Sequence, residues 1–181
     1  VEDVDDVATV QVANPAKLAV VTQTTLSVDD AAAILQAIKV RFPHVREPKQ
    51  QDICYATQNR QDAVKIMAPQ VDVVVVVGSP TSSNSNRLRE LAERLGTPSY
   101  MVDCPEDLQP GWFDQRPRVG LTAGASAPDV LVQQVISRLR ALGAISVRRM
   151  QGVEESVRFP LPKGLGGTGL DRPLPTERTA S

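Results

Sequence analysis

Short apolar runs alternate along this chain with stretches whose apolar residues recur every three or four positions. Val71 to Val77 is β-branched and almost wholly apolar, as a strand covered on both faces requires. Leu18 to Val21, Ser99 to Val102 and Val119 to Leu121 are shorter runs and predict further strands. Ser27 and Asp30 form a capping-box-like start. After them Ala31, Ile34, Leu35, Ile38 and Phe42 keep helical spacing until Pro43 stops the helix. The same spacing predicts helices over 59–68 (Ala63, Val64, Met67), 85–95 (Leu88, Leu91, Ala92, Leu95) and 127–142 (Leu131, Val135, Leu139, Leu142). Gly96 and Gly143 stand where the last two should end. Strands alternating with helices predict an α/β fold, with mainly parallel sheets flanked by helices.

The polar, proline-bearing connector PHVREPKQQ (43–51) divides the chain. Residues 1–50 read as the end of one α/β domain and 51–162 as a second α/β domain. Residues 163–181, rich in Gly, Pro, Ser and Thr, read as a disordered tail. The first residue is Val1 rather than methionine, and the chain is expected to be a piece of a longer protein. Composition narrows the function classes. A net charge of −1 and 3% aromatic residues give no footprint for nucleic acid or a membrane surface. No apolar run approaches the roughly 18–20 residues that span a bilayer. Two cysteines, Cys54 and Cys104, make no disulfide framework and point to a reducing, cytoplasm-like compartment.

Candidate chemistry sits where apolar runs give way to hydroxyl-rich loops and then to helices, in LAVVTQTTLSVDD (18–30), VVVVVGSPTSSNSNRL (73–88) and VGLTAGASAPDV (119–130). Free N–H groups and the positive end of the helix dipole favour an anion there. There is no Walker A lysine and no G-x-G-x-x-G, so the loops support neither a nucleoside triphosphate nor a dinucleotide. Thr24, Thr25, Ser82, Ser83, Asn84 and Ser126 are neutral donors, able to hold a diphosphate because each of its oxygens accepts several hydrogen bonds. The simpler alternative is that Ser27, Ser85 and Ser126 only cap helices. Cys54, just ahead of a helix, is placed to act as a thiolate, the form that ligates metal or attacks as a nucleophile; a small buried residue is the plainer role. Cys104 reads as structural, His44 as a surface residue, and Asp52 and Asp103 as solvated or capping carboxylates.

Four segments together, VTQTTLSVDD (21–30), DICYATQNRQ (52–61), SSNSNRL (82–88) and TAGASAP (122–128), resemble the 4-hydroxy-3-methylbut-2-enyl diphosphate reductase family. This is the iron–sulfur enzyme of the methylerythritol phosphate route to isoprenoids. The resemblance runs from Val1 to about Pro162. It implies that Cys54 is one of three cysteines holding a [4Fe–4S] cluster. Thr24, Ser82, Ser83, Asn84 and Ser126 would contact the substrate diphosphate, with Gln23 and Thr25 supporting that wall. It further implies reductive dehydroxylation to isopentenyl and dimethylallyl diphosphate, an electron donor of ferredoxin or flavodoxin type, and a bacterial cytoplasmic location. The family's other two cluster cysteines, its substrate-contacting histidines and its proton-donor glutamate match no position here. On this resemblance the chain is the C-terminal portion of such an enzyme, it contains no catalytic residue of its own, and it is inactive alone.

Two other classes stay in view. A stand-alone α/β anion-binding module would bind diphosphate regardless of Cys54, and a non-functional remnant would fold poorly and bind nothing.

Overall fold

The computed structural model describes residues 1–48 and 52–153. The domain boundary expected at residues 50 and 51 and the disordered tail expected over 163–181 lie outside the described residues.

The centre of the molecule is strand β1 (Val73–Val77), five valines with every side chain buried. It lies between β2 (Ser99–Val102) and β3 (Val119–Ala123), parallel to both, in the order β2-β1-β3. Alternation along a strand sends successive side chains to opposite faces. Val74 and Val76 accordingly join Val64, Met67, Leu88 and Leu91 of α3 (Tyr55–Met67) and α4 (Ser83–Arg94) in one core cluster. Val75 and Val77 join Val102, Leu108 and Val135 in the other, under α5 (Asp129–Ala141). Each fully buried valine of β1 contributes about 1.5–3 kcal/mol by leaving water. The expected α/β fold, a parallel sheet flanked by helices, is the one observed.

Gly96 follows the cap of α4 at φ 84° and Gly143 follows the cap of α5 at φ 113°, so both helices end where a left-handed residue was expected. At the amino-terminal edge of the sheet, Asp72 and Arg118 clip β1 to β3 through an ion pair of 2.7 Å and a hydrogen bond from the Arg118 N–H. Between β2 and β3 the chain crosses in two short 3-10 turns, Pro105–Asp107 and Pro110–Phe113, with Trp112 stacked on Tyr100.

Two expectations need correction. Leu18 to Val21 is not a buried strand: Val21 is 83% exposed, and the segment is reduced to one parallel bridge between Ala19 and Arg46. Val20 donates to the Arg46 carbonyl at 3.0 Å and Arg46 to the Leu18 carbonyl at 2.9 Å, after which the ladder stops. A four-residue run paired with a single residue cannot build a sheet face. The helix expected over 59–68 begins at Tyr55, because the inward positions of its first two turns are Thr57 and Gln61 rather than apolar residues.

Residues before the 43–51 connector form α1 (Val4–Thr9), capped by Asp3 and Asp6, and α2 (Val28–Arg41). Val7 is the buried residue of α1, and its carbonyl accepts from the Arg41 guanidinium. Arg94–Asp30 (2.8 Å) and Lys65–Asp29 (2.8 Å) tie α2 to α4 and α3.

Candidate functional site

A parallel sheet opens a crevice where neighbouring strands send their chains to opposite faces. That happens here at the carboxyl ends of β1 and β3, since α4 covers one face and α5 the other. The two loops are held together by the sheet itself: the Gly124 N–H donates to the Val77 carbonyl at 2.9 Å, extending the pairing of β3 with β1. Ser85, 1% exposed, is wedged between them. A Cβ at either Gly78 or Gly124 would lie 2.2 Å from Ser85 Oγ, so only glycine lets the loops close on the first turn of α4.

Ser82 caps α4, its Oγ accepting from the Ser85 N–H at 3.3 Å and from Ser85 Oγ at 3.1 Å. Ser83 and Asn84 occupy the first helical positions, whose N–H groups have no carbonyl within the helix to use. The Asn84 side chain is the unusual member. It is 5% exposed, and neither its Nδ2 nor its Oδ1 has a hydrogen-bond partner among the described residues. Its Nδ2 comes within 3.7 Å of the point where a Gly124 Cβ would stand, so it lies against the β3 loop. Two orphaned amide atoms cost about 1–3 kcal/mol each unless something binds them. The buried Asn84 amide is therefore the polar group at this edge best suited to meet a hydrogen-bonding ligand.

The first loop is placed differently. It does not leave a strand, and its anchors lie in the segment that starts α3. The Thr22 N–H donates to Asp52 Oδ2 at 2.7 Å, and the Cys54 N–H donates to the Thr24 carbonyl at 3.0 Å. Gln61 completes the clamp, with Nε2 donating to the Leu26 carbonyl at 2.8 Å and Oε1 accepting from the Val28 N–H at 3.0 Å. Cys54 is the N-cap residue of α3 and its thiol is exposed. Cys54 and Thr24 are thus neighbours through the backbone, with Gln23 and Thr24 exposed and Thr25 half-buried.

The structure brings the expected residues together in two groups. Ser82, Ser83, Asn84 and the loop of Ser126 converge at the crevice, whereas Gln23, Thr24, Thr25 and Cys54 converge at the start of α3. The common element is α3, which reaches the second group through Gln61 and the first through Arg60, whose Nη1 donates to the Ala123 carbonyl at 3.2 Å. The capping alternative holds for Ser27, whose Oγ accepts from the Asp30 N–H at 3.2 Å. It fails for Ser85, which is not the cap of α4, and for Ser126, because α5 starts after Pro128 without a side-chain cap. Ser126 is left exposed on its loop. Asp52, Arg60 and Gln61 were not singled out for the site by sequence. Their signal is the run DICYATQNRQ, which carries more polar residues than a surface helix start needs.

His44 is exposed, as expected. Cys104 caps a 3-10 turn. Desolvation first, then hydrogen bonds with Glu106 and Asp107, push its thiol up from the usual value, away from the thiolate a metal needs. No three His, Cys, Asp or Glu residues among the described ones are grouped to hold a metal ion. Cys54 can serve as one thiolate ligand; by itself it is not the ligand set of a four-iron cluster.

Comparison with known proteins gives this geometry a context. The chain is 77% identical over 171 residues to the 4-hydroxy-3-methylbut-2-enyl diphosphate reductase of Methylibium petroleiphilum, a match covering 94% of this chain and 52% of the relative. It is 70% identical over 165 residues to the protein of that name from a Polaromonas species, covering 91% and 50%. Among solved structures it resembles the E-1-hydroxy-2-methyl-but-2-enyl-4-diphosphate reductase of Plasmodium falciparum. That match has a TM-score of 0.83 at 34% identity and covers 90% of this chain and 52% of the other. The chain spans about half the length of the curated relatives it matches. The model of the LytB protein family matches residues 1–140, and with that share of its length matched the chain belongs to the LytB protein family.

Proposed function

We propose that this chain is the C-terminal portion of a 4-hydroxy-3-methylbut-2-enyl diphosphate reductase and supplies its diphosphate-binding crevice and one cluster cysteine. The buried, unpartnered Asn84 amide carries the reading: beside a helix N-terminus and two glycine-closed loops, it suits the oxygens of an anion. Asn84 Nδ2, the hydroxyls of Ser82, Ser83, Ser126 and Thr24, and the first N–H groups of α4 donate to the diphosphate. Gln23 and Thr25 back the Thr24 wall. Such neutral donors fix an anion without moving a proton, so the diphosphate keeps its charge throughout.

Cys54 is one of three cysteine ligands of a [4Fe–4S] cluster, and the other two, with the proton-donor glutamate, lie outside this sequence. When bound, the cluster supplies electrons one at a time and a Lewis-acidic iron for a reductive dehydroxylation to isopentenyl and dimethylallyl diphosphate. Residues 1–50 belong to a middle α/β domain and 51–162 to a third. The electron donor is a ferredoxin- or flavodoxin-type protein, and the enzyme works in the bacterial cytoplasm. No helix among the described residues is long and apolar enough to cross a membrane.

The test is complementation in two pieces. The chain is mixed with the remaining half of the Methylibium reductase and reconstituted anaerobically with iron and sulfide. Iron uptake and reductase activity are expected in the mixture, in neither half alone, and not with Cys54→Ser. A second reading, a stand-alone diphosphate-binding module, rests on the buried Asn84 amide beside the first turn of α4, which could meet an anion without Cys54. That reading is upheld if the chain binds inorganic diphosphate while the mixture takes up no Cys54-dependent iron.

A further inference from the structure

The residues expected to hold the anion are all neutral, yet a cation stands behind them. Arg60 is half-buried in the second turn of α3. Its Nε is buried without a hydrogen-bond partner, and among the described residues it forms no ion pair with any carboxylate. Withdrawing a guanidinium from water without a counter-ion is unfavourable, so this site is electrostatically suited to an anion nearby. The bond it does make is specific. Nη1 donates to the Ala123 carbonyl at 3.2 Å, while the N–H of the same peptide unit, on Gly124, donates to the Val77 carbonyl at 2.9 Å. The peptide that opens the Gly124–Ser126 loop is therefore held at both its polar atoms, from α3 on one side and from β1 on the other. That loop lies against Ser85 and Asn84.

We propose that Arg60 is a positioning residue for the anion site: it fixes the Gly124–Ser126 loop against Asn84 and supplies the positive charge that the neutral loops lack. The inference rests on the reading of these loops as a diphosphate site, and it extends that site to a residue on the cysteine-bearing helix. Arg60 at the crevice and its neighbour Gln61 at the Thr24 loop together make α3 the link between the two groups of site residues.

The test is calorimetric titration of the 181-residue chain with inorganic diphosphate, paired with amide spectra of the loops. Arg60→Met is expected to weaken diphosphate binding about tenfold, the effect of losing one charge-assisted contact. Arg60→Lys, which keeps the charge, is expected to stay within about threefold of wild type. Diphosphate should shift the Gly124–Ser126 amides in wild type and leave them unmoved in Arg60→Met, while the Ser82–Asn84 amides respond in both. Should Arg60→Met fail to fold, Arg60→Gln keeps a donor for Ala123 without the charge, and the same tenfold loss is expected. Equal affinity in wild type and the uncharged variants overturns the inference and leaves the diphosphate reading standing. No diphosphate binding by the wild-type chain overturns that reading, and this inference with it.

Discussion

Ser85 sits between two glycines, and the distances predict a specific pattern of rescue. A methyl at Gly124 would lie 2.2 Å from Ser85 Oγ but 3.5 Å from Ser85 Cβ; at Gly78 the corresponding distances are 2.2 and 2.9 Å. Real Cβ atoms essentially never approach another atom within 3.0 Å. Either Gly→Ala change must therefore expel the hydroxyl, and in doing so it breaks the 3.1 Å hydrogen bond to Ser82 Oγ. Overpacking costs about 1–3 kcal/mol, and the lost buried hydrogen bond adds about 1 kcal/mol. Neither glycine has a positive φ, so alanine also gains about 0.4–1 kcal/mol by restricting the unfolded chain. The net expectation is a destabilisation of about 1–3.5 kcal/mol for Gly124→Ala or Gly78→Ala alone.

Ser85→Ala separates the two. It removes the oxygen, leaving an ordinary 3.5 Å contact with Ala at 124 but a prohibitive 2.9 Å contact with Ala at 78. The double variant Gly124→Ala/Ser85→Ala should thus fall to the level of Ser85→Ala alone, about 1 kcal/mol below wild type or better. Gly78→Ala/Ser85→Ala should remain about 1–2 kcal/mol worse than that. Urea unfolding followed by far-UV circular dichroism measures all five variants. A neutral Gly124→Ala, or a serine-to-alanine rescue that works at 78 and not at 124, would refute the packing argument.

Gln61→Leu should destabilise by about 2–4 kcal/mol in the same assay, because it strands the Leu26 carbonyl and the Val28 N–H in a partly buried seam; a loss under about 0.5 kcal/mol would show that water serves both groups. The Arg94 guanidinium, with lesser help from Ser27 and Arg87, holds the Asp30 carboxyl below its usual value of 3.8. A lowered carboxyl pKa stabilises the fold above the unfolded value, and that contribution is lost as pH falls through the folded one. The Arg94–Asp30 pair is 47% exposed on both sides, so solvent screening limits the effect to about 0.5 kcal/mol. Asp30→Asn should accordingly narrow the stability difference between pH 7 and pH 3 by that amount, and an unchanged difference would count against the pair. Cys54→Ser, at an exposed side chain that makes no cap hydrogen bond, should leave the unfolding free energy within about 0.5 kcal/mol of wild type; a larger loss would mean that the thiol has a structural role.

Where one physical cause dominated, the sequence was legible. Val73 to Val77 is a strand because five β-branched residues covered on both faces admit little else. Gly96 and Gly143 ended their helices because the left-handed conformation costs glycine least. The pattern failed where the inward face is polar. Thr57 and Gln61 are each 2% exposed, but apolar periodicity passes over polar positions, so the helix expected from residue 59 begins at Tyr55. Leu18 to Val21 failed in the opposite sense, being apolar in composition but without partner strands among the described residues to make it a sheet. At the site, hydroxyl-rich loops after apolar runs pointed to loops that the structure sets side by side at the carboxyl ends of β1 and β3. They did not separate exposed Ser83 from buried Asn84, since adjacent positions on a helix face different ways and composition is blind to rotation.

That rotational difference also explains why α3 can serve both groups of site residues. Arg60 and Gln61 are consecutive, so their side chains leave a helix of 3.6 residues per turn about 100° apart. One reaches the end of β3 and the other the loop of Thr24, while Cys54 caps the same helix nearly two turns earlier. Between them Thr57, Gln61, Val64 and Met67 bury one face of a 13-residue helix. A helix so held cannot rotate about its axis without breaking bonds on both sides. The position of the Cys54 thiol relative to the anion crevice is thus set by α3 rather than by the loops, which are free to be short, neutral and hydroxyl-rich. Under the proposed reading, a thiolate-bound centre and a substrate held by its diphosphate would need that separation fixed; the polar, inward-facing turns of α3 fix it where an apolar helix start would have offered no bond to either loop.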